Sequence, residues 1–252
     1  MPDALVRATT MAGRAIRISR RNVDAVITAM VLPVMLMIVF VYLFGGAIQT
    51  DAPEYVTYVV PGVLVVCACF GAANTAVAVS DDMQGGIMDR FRSLDVGGGA
   101  VLAGHVAASV LRNLAATAVV LGVALLIGFR PDATAAGWLA ALGLLVTFLV
   151  AISWFSAAIG LLARTPEAAG GFTFFMTFLP YPSSAFVPID SMPDWLHGFA
   201  DHQPITPLIE SLRALLLSEA AGSAPWTALA WSAGILAVSV AASGALFRAR
   251  TK

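Results

Sequence analysis

Residues 56–99 read VTYVVPGVLVVCACFGAANTAVAVSDDMQGGIMDRFRSLDVGGG, and the change of character within this stretch decides the fold. Val56 to Val79 contains no charged residue. A hydrocarbon core about 30 Å thick is crossed by roughly 20 apolar residues in a helix, so this run is long enough to span a bilayer. Asp81 to Gly99 is charged and rich in glycine, and a second apolar run opens at Val101.

The rest of the chain repeats the apolar theme. Hydrophobic residues make up 59% of it and charged residues only 12%, with a mean hydropathy of +0.87. An ordinary globular domain carries charge on about a quarter of its residues, so too little charge is present to solvate a water-facing surface. Six segments are long enough to cross: Ala25 to Ile48, Val56 to Val79, Val101 to Phe129, Trp138 to Ala163, Ala168 to Val187 and Trp226 to Phe247. A membrane barrel is disfavoured, because barrel strands alternate apolar and polar residues over about ten positions. The expectation is one all-α integral membrane domain over residues 1–252 with six transmembrane helices.

Net charge is only −1, but the cations are unevenly placed. Arg7, Arg14, Arg17, Arg20 and Arg21 precede the first span, Arg90 and Arg92 lie between spans two and three, Arg164 follows span four, and Arg248, Arg250 and Lys252 follow span six. Alternating spans put all of these on one side and leave Arg130 and Arg213 on the other, with Asp51, Glu54, Asp132, Asp190, Asp194, Asp201, Glu210 and Glu219. The positive-inside rule then predicts a multi-pass protein of the cell inner (plasma) membrane, with both termini and the 81–99 insert in the cytoplasm. The first 22 residues are rich in arginine and lack the apolar core of a cleavable signal. Leu5, Ala8, Ala12, Ala15 and Ile16 can share one face of an amphipathic helix lying at the inner headgroups; a basic tail without structure is the alternative.

Searching for chemistry returns mostly absences. A phosphate-binding loop needs a lysine on the nucleotide phosphates, and Lys252 is the sole lysine. No serine-hydrolase elbow surrounds Ser183 and Ser184, and His105, His197 and His202 have no metal-ligand spacing, so they read as polar residues at the membrane boundary. No catalytic residue, metal site or cofactor of its own is expected. Cys67 and Cys69, two apart on a helix, point to different sides and read as packing residues. Ion-coupled transport would leave ionisable groups deep in the spans. Asp24 stands at the mouth of span one, and Arg112 lies in span three, either snorkelling to the headgroups or paired within the bundle.

The insert holds a short segment, Ile87 to Leu94, between Gly85–Gly86 and Gly97–Gly99. Ile87, Phe91 and Leu94 fall on one helical face, with Asp89, Arg90 and Arg92 around it, so the segment reads either as a helix docking an apolar ridge into a partner or as a solvated loop. The run VSDDMQGGIMDRFRSLDVGGGAVLAGHVAASVLRN (residues 79–113) resembles the coupling region of ABC-2 type transporter permeases, especially the daunorubicin-resistance type of drug exporter. Asp82, Gly86, Asp89, Arg90, Phe91, Arg92, Ala100 to Gly104, Arg112 and Asn113 occupy the matching places. YVVPG (58–62), RTPE (164–167) and LPYPSSAFVPIDSMPDWLHGFADHQP (179–204) extend the likeness over nearly the whole chain. Three departures stand out: Asp95 where a proline is expected, Gly97 and Gly98 in place of Ser-Arg, and Gln203 in place of asparagine.

Proline removes a backbone donor and clashes with the preceding helical turn. Pro180 and Pro182 should therefore end span five, with Pro61 and Pro188 as further candidate breaks. Irregular backbone at membrane depth persists only inside protein or beside a cavity, so residues 180–215 are expected to turn back as an outer re-entrant region, a plain outer loop being the alternative. Trp195 suits a short interfacial helix there, and Glu210 with Arg213 at i, i+3 suits an ion pair.

The resemblance implies a permease subunit, not an enzyme by itself, that pairs with a second copy, likewise in contact with membrane lipid, and with two cytoplasmic ABC ATPase subunits that bind ATP and Mg. Nothing points to nucleic acid. Asp82, Gly86, Asp89, Arg90, Phe91 and Arg92 would couple it to the ATPase, and an amphipathic or lipid-like molecule would leave the inner leaflet past Phe172, Phe174, Phe175, Phe178, Tyr181 and Phe186, unless these rings merely face lipid or pack. An ATP-independent small transporter or channel is the alternative, though no inverted repeat relates residues 1–130 to 131–252.

Overall fold

The computed structural model describes residues 23–48, 50, 52, 54–85 and 98–250. The lead-in at 1–22 and the centre of the insert, including Gly86, Asp89, Arg90, Phe91 and Arg92, lie outside the described residues. Eight α-helices are described: α1 (Val23–Ile38, prolonged by a π-helical turn Val39–Phe44), α2 (Tyr55–Gln84), α3 (Gly98–Leu126), α4 (Ala135–Leu162), α5 (Pro166–Phe178), α6 (Asp194–His202), α7 (Ile205–Leu216) and α8 (Ala224–Arg250). No strand occurs among the described residues.

Among the described residues, four helices, α2, α3, α4 and α8, are long and apolar enough to cross a membrane, and Met30–Phe44 is a shorter apolar helix. Span five, expected over Ala168–Val187, is shorter than its apolar run. α5 has 13 residues, about 20 Å at 1.5 Å per residue, and the chain turns from Leu179 onward, around Pro180 and Pro182. Its start is defined by local chemistry: the Thr165 side chain accepts from the Ala168 N–H at 3.1 Å, Pro166 sits where its missing donor costs nothing, and Glu167 occupies the first turn. The break expected at Pro61 does not occur. Pro61 is internal to α2, which runs without interruption, its lost donor tolerated in a helix packed on all sides.

α2 is the axis of the bundle, with α1, α3, α4, α5 and α7 packed around it. Inside the protein 83% of its apolar stretch is buried, against 17% for α8, which lies on α4 and α7 and turns its remaining face outward. Lipid tails are as apolar as leucine, so helices in a membrane associate through close packing and internal hydrogen bonds. Both are visible. Thr75 of α2 and Ser153 of α4 each donate to Ser109 Oγ of α3, at 2.8 and 2.9 Å, and Asn113 Nδ2 donates to the Ser109 carbonyl at 3.1 Å. Gly160 lets α4 approach the α2 backbone, where a Cβ would stand 2.5 Å from the Ala76 carbonyl oxygen.

Residues 180–215 gather at the end of the bundle opposite the insert as a turn, a 3-10 turn (Ile189–Ser191) that follows Pro188, and the short helices α6 and α7. α6 leaves Trp195 exposed, whereas α7 buries Ile205, Leu208, Ile209, Leu212 and Leu216 against α2 and α4.

Candidate functional site

Two regions carry groups that packing alone does not explain. At the insert end, Asp82 in the last turn of α2 lies 3.0 Å from His105 Nε2 of α3. A carboxylate only accepts, so His105 donates. His105, expected as an isolated boundary residue, is thus joined to the one coupling candidate that the structure describes. His197 and His202 bond to the carbonyls of Met192 and Gly198 at 2.8 and 2.9 Å, and no group of metal ligands forms among the described residues.

The second region is aromatic. Phe172, Phe174, Phe175 and Phe178 of α5 are all exposed at the protein surface. Rings then follow one another from α5 towards α1: Phe174 to Phe178 at 6.0 Å between centroids, Phe178 to Tyr181 at 5.3 Å, Tyr181 to Phe186 at 5.5 Å, Phe186 to Phe40 at 4.3 Å and Phe40 to Phe44 at 5.5 Å. The first four pairs are stacked and the last is tilted by 40°, and aromatic pairs near this spacing are favourable beyond their buried area. The six rings named from sequence therefore separate, Phe174 joining the row through Phe178. Phe178, Tyr181 and Phe186 belong to this row, while Phe172 and Phe175 line a different, apolar cavity of about 330 Å³ with Phe148, Phe155 and Ile235.

Sequence reasoning passed over Asn74. It lines a notch of about 200 Å³ between α2 and α5 with Phe70, Ala73, Gly170, Thr173, Phe174 and Thr177. Thr173 Oγ1 donates to the Ala169 and Gly170 carbonyls and Thr177 Oγ1 to Phe174, so both hydroxyl protons are used within α5. Among the described residues no hydrogen-bond partner meets the Asn74 amide. It stands ten residues from the insert end of α2, roughly 15 Å deep, where a polar group is costly unless bonded. The signal was available: an amide in an apolar span merits the scrutiny given to an ionisable group.

The row is anchored by the segment after α5. Tyr55 of α2 donates its hydroxyl to the Phe186 carbonyl at 2.6 Å. Arg213 of α7, expected to pair with Glu210, turns inward instead. Its Nη2 donates to the Ser184 carbonyl at 2.7 Å, Nε and Nη2 both reach the Tyr58 carbonyl at 3.3 Å, and the guanidinium carbon lies 3.9 Å from the Tyr58 ring centroid. Burial lowers the Arg213 pKa, opposed by Tyr58, Glu210 and Glu219, and a guanidinium stays charged under such a shift. Gln203, the departure from asparagine, supports the same turn by donating to the Pro182 carbonyl at 3.3 Å and accepting from the Ile205 N–H at 3.3 Å.

Residues 7–217 match the ABC-2 type transporter family model. The daunorubicin resistance ABC transporter permease protein DrrB1 of Streptomyces coeruleorubidus is 32% identical over 223 residues, covering 88% of this chain and 79% of that protein. The probable doxorubicin resistance ABC transporter permease protein DrrC of Mycobacterium tuberculosis is 26% identical over 219 residues, covering 86% and 79%. A membrane bundle with a polar insert between its second and third helices, matched by the family model over residues 7–217 and aligned with most of both relatives, belongs to the ABC-2 type transporter family, among the permease subunits of drug-resistance ABC transporters.

Proposed function

We propose that the chain forms, with a second copy of itself and two cytoplasmic ATPase subunits, an exporter that moves an amphipathic or lipid-like molecule (drug, antibiotic or lipid) from the inner leaflet or cytoplasm outward. The single observation that carries this reading is the family match over residues 7–217, which spans the whole insert. The absence of a phosphate-loop lysine supports assigning ATP and Mg to the partner. The arginine bias supports six passes with both termini and the insert on the cytoplasmic side of the inner membrane. In this reading Asp82, Gly86, Asp89, Arg90, Phe91 and Arg92 take up the motion of the ATPase as it binds and hydrolyses ATP.

The exposed rings of α5 offer an apolar, stackable surface to a planar molecule arriving from the inner leaflet, and Asn74 offers it one amide. A hydroxyl or carbonyl of the cargo entering the notch satisfies a group that is otherwise unbonded in an apolar setting. The Phe178–Tyr181–Phe186 row then continues from α5 towards Phe40.

The test is reconstitution in liposomes with and without the ATPase subunit, using daunorubicin, the compound named for the Streptomyces relative, as the first probe. ATP-dependent movement requiring both subunits is the expected result. Movement driven by this chain alone would establish the ATP-independent transporter instead. In the same assay Asn74→Leu is expected to raise KM about tenfold, the loss of one hydrogen bond in a desolvated site, with kcat changed much less. An unaltered KM would remove Asn74 from the route.

A further inference from the structure

The insert is tied to the bundle at its base by two side chains that sequence reasoning did not connect to it as a pair. Asp82 meets His105 of α3 at 3.0 Å, with both side chains mostly buried, at 15% and 14% exposure. Gln84, the last residue of α2, donates from Nε2 to the Arg164 carbonyl at 2.5 Å. The end of α2 between them is closed by the Gly85 N–H on the Asp81 carbonyl at 2.8 Å. Beneath lies an apolar plug of Val79, Leu102, Val106, Ala157 and Leu161, with Met83 and Phe247 against it.

The second tie leads somewhere specific. Arg164 is followed by Thr165, the N-cap of α5, and by Pro166, its first residue. A carbonyl held one residue before a capped, proline-started helix is rigidly placed with respect to that helix. Displacement of residues 81–85 must therefore drag α3 through His105 and α5 through Arg164, or break one of the bonds. α5 bears Phe172, Phe174, Phe175 and Phe178 and one wall of the Asn74 notch. Without these ties, a push on the insert would be absorbed by bending its own stem.

We propose that Asp82–His105 and Gln84–Arg164 form a two-point clasp that hands movement of the insert to α3 and α5, making His105 and Gln84 positioning residues for coupling. The inference rests on the reading of the insert as the ATPase contact. Both residues act through others: His105 bonds to Asp82 and Gln84 to the Arg164 carbonyl, and neither belongs to the aromatic row.

The test uses the complete complex in liposomes and reads cargo moved per ATP hydrolysed, with the amount of assembled complex measured beside it. His105→Ala is expected to lower the ratio roughly tenfold and Gln84→Ala roughly fivefold, the factors for a hydrogen bond to a charged and to a neutral group, with ATP hydrolysis continuing. His105→Gln, whose amide nitrogen reaches about as far as the imidazole Nε2, is expected to restore most of the ratio. A purely structural role would lower assembly and leave the ratio unchanged. Gln84 is exposed, so its truncation disturbs no packing and keeps the test decisive where His105→Ala fails to assemble. Normal ratios in assembled Gln84→Ala and His105→Ala complexes would overturn the clasp. Arg90→Glu separates the two ideas: if it too leaves assembly and ratio intact, the reading of the insert falls, whereas loss with Arg90→Glu alone removes only the clasp.

Discussion

Arg213→Ala is expected to lower the melting midpoint of the detergent-purified chain by about 10 °C, from a loss of roughly 3 kcal/mol spread over a chain of this size. Hydrogen bonds from a charged group contribute about 1.5–3 kcal/mol, and a cation over an aromatic face about 0.5–2 kcal/mol. Arg213 makes both kinds of contact at once, to the Ser184 and Tyr58 carbonyls and to the Tyr58 ring. The Tyr58 carbonyl keeps its place in α2, but Ser184 sits in an irregular turn and loses the donor that fixes it. Arg213→Lys should recover only part of the loss, since an ammonium can reach one carbonyl but cannot fork to two or lie flat on the ring. Thermal unfolding followed by size-exclusion chromatography measures both variants. An alanine midpoint within 2 °C of the wild type would show that α7 and the 183–186 turn hold together without the guanidinium.

That contact also marks the limit of what the sequence disclosed. Arg213 and Tyr58 are 155 residues apart, and nothing local distinguishes an arginine that caps a distant turn from one that pairs with Glu210 three residues away. Four of the six expected spans, those of α2, α3, α4 and α8, were legible because a bilayer imposes a length on every crossing helix, and Pro180 and Pro182 announced the end of α5. Which helix occupies the centre was not legible. α2 and α8 both read as apolar runs, with mean hydropathies of 2.1 and 1.7 over their spans, yet one is enclosed by protein and the other faces outward. In water a helix apolar on all sides is a buried helix; in lipid the tails remove that inference. The aromatic candidates divided for a related reason. Phe175 and Phe178 are three residues apart on one helix, yet the first lines the cavity with Phe148 and the second stacks on Tyr181, a choice made by neighbours far away in the chain.

Gly62→Leu is expected to abolish transport while leaving the α2–α3–α4 core folded. A Cβ at position 62 would lie 2.6 Å from the Ala185 carbonyl oxygen and 2.7 Å from its Cα, far inside the 3.5–4.0 Å at which carbon atoms attract. The obstacle is backbone, so no rotamer change relieves it, and overpacking of this kind costs about 1–3 kcal/mol or more. The segment that must yield is the one held by Tyr55 on the Phe186 carbonyl and Arg213 on the Ser184 carbonyl. Displacing it pulls Phe186 from between Tyr181 and Phe40 and interrupts the aromatic row. The Thr75–Ser109–Ser153 bonds lie elsewhere, among α2, α3 and α4, and should survive. Gly143→Ala in α4 is the control. It is another helical glycine, but its Cβ would meet nothing within 4 Å, so it should be neutral or stabilising by up to about 1 kcal/mol through helix propensity. Gly62→Ala carries the same propensity gain against the first atom of the clash, and its sign shows which wins. Liposome transport read beside the melting midpoint decides the matter: wild-type transport in Gly62→Leu would mean that the row can be opened without consequence and that cargo travels by another face of α5.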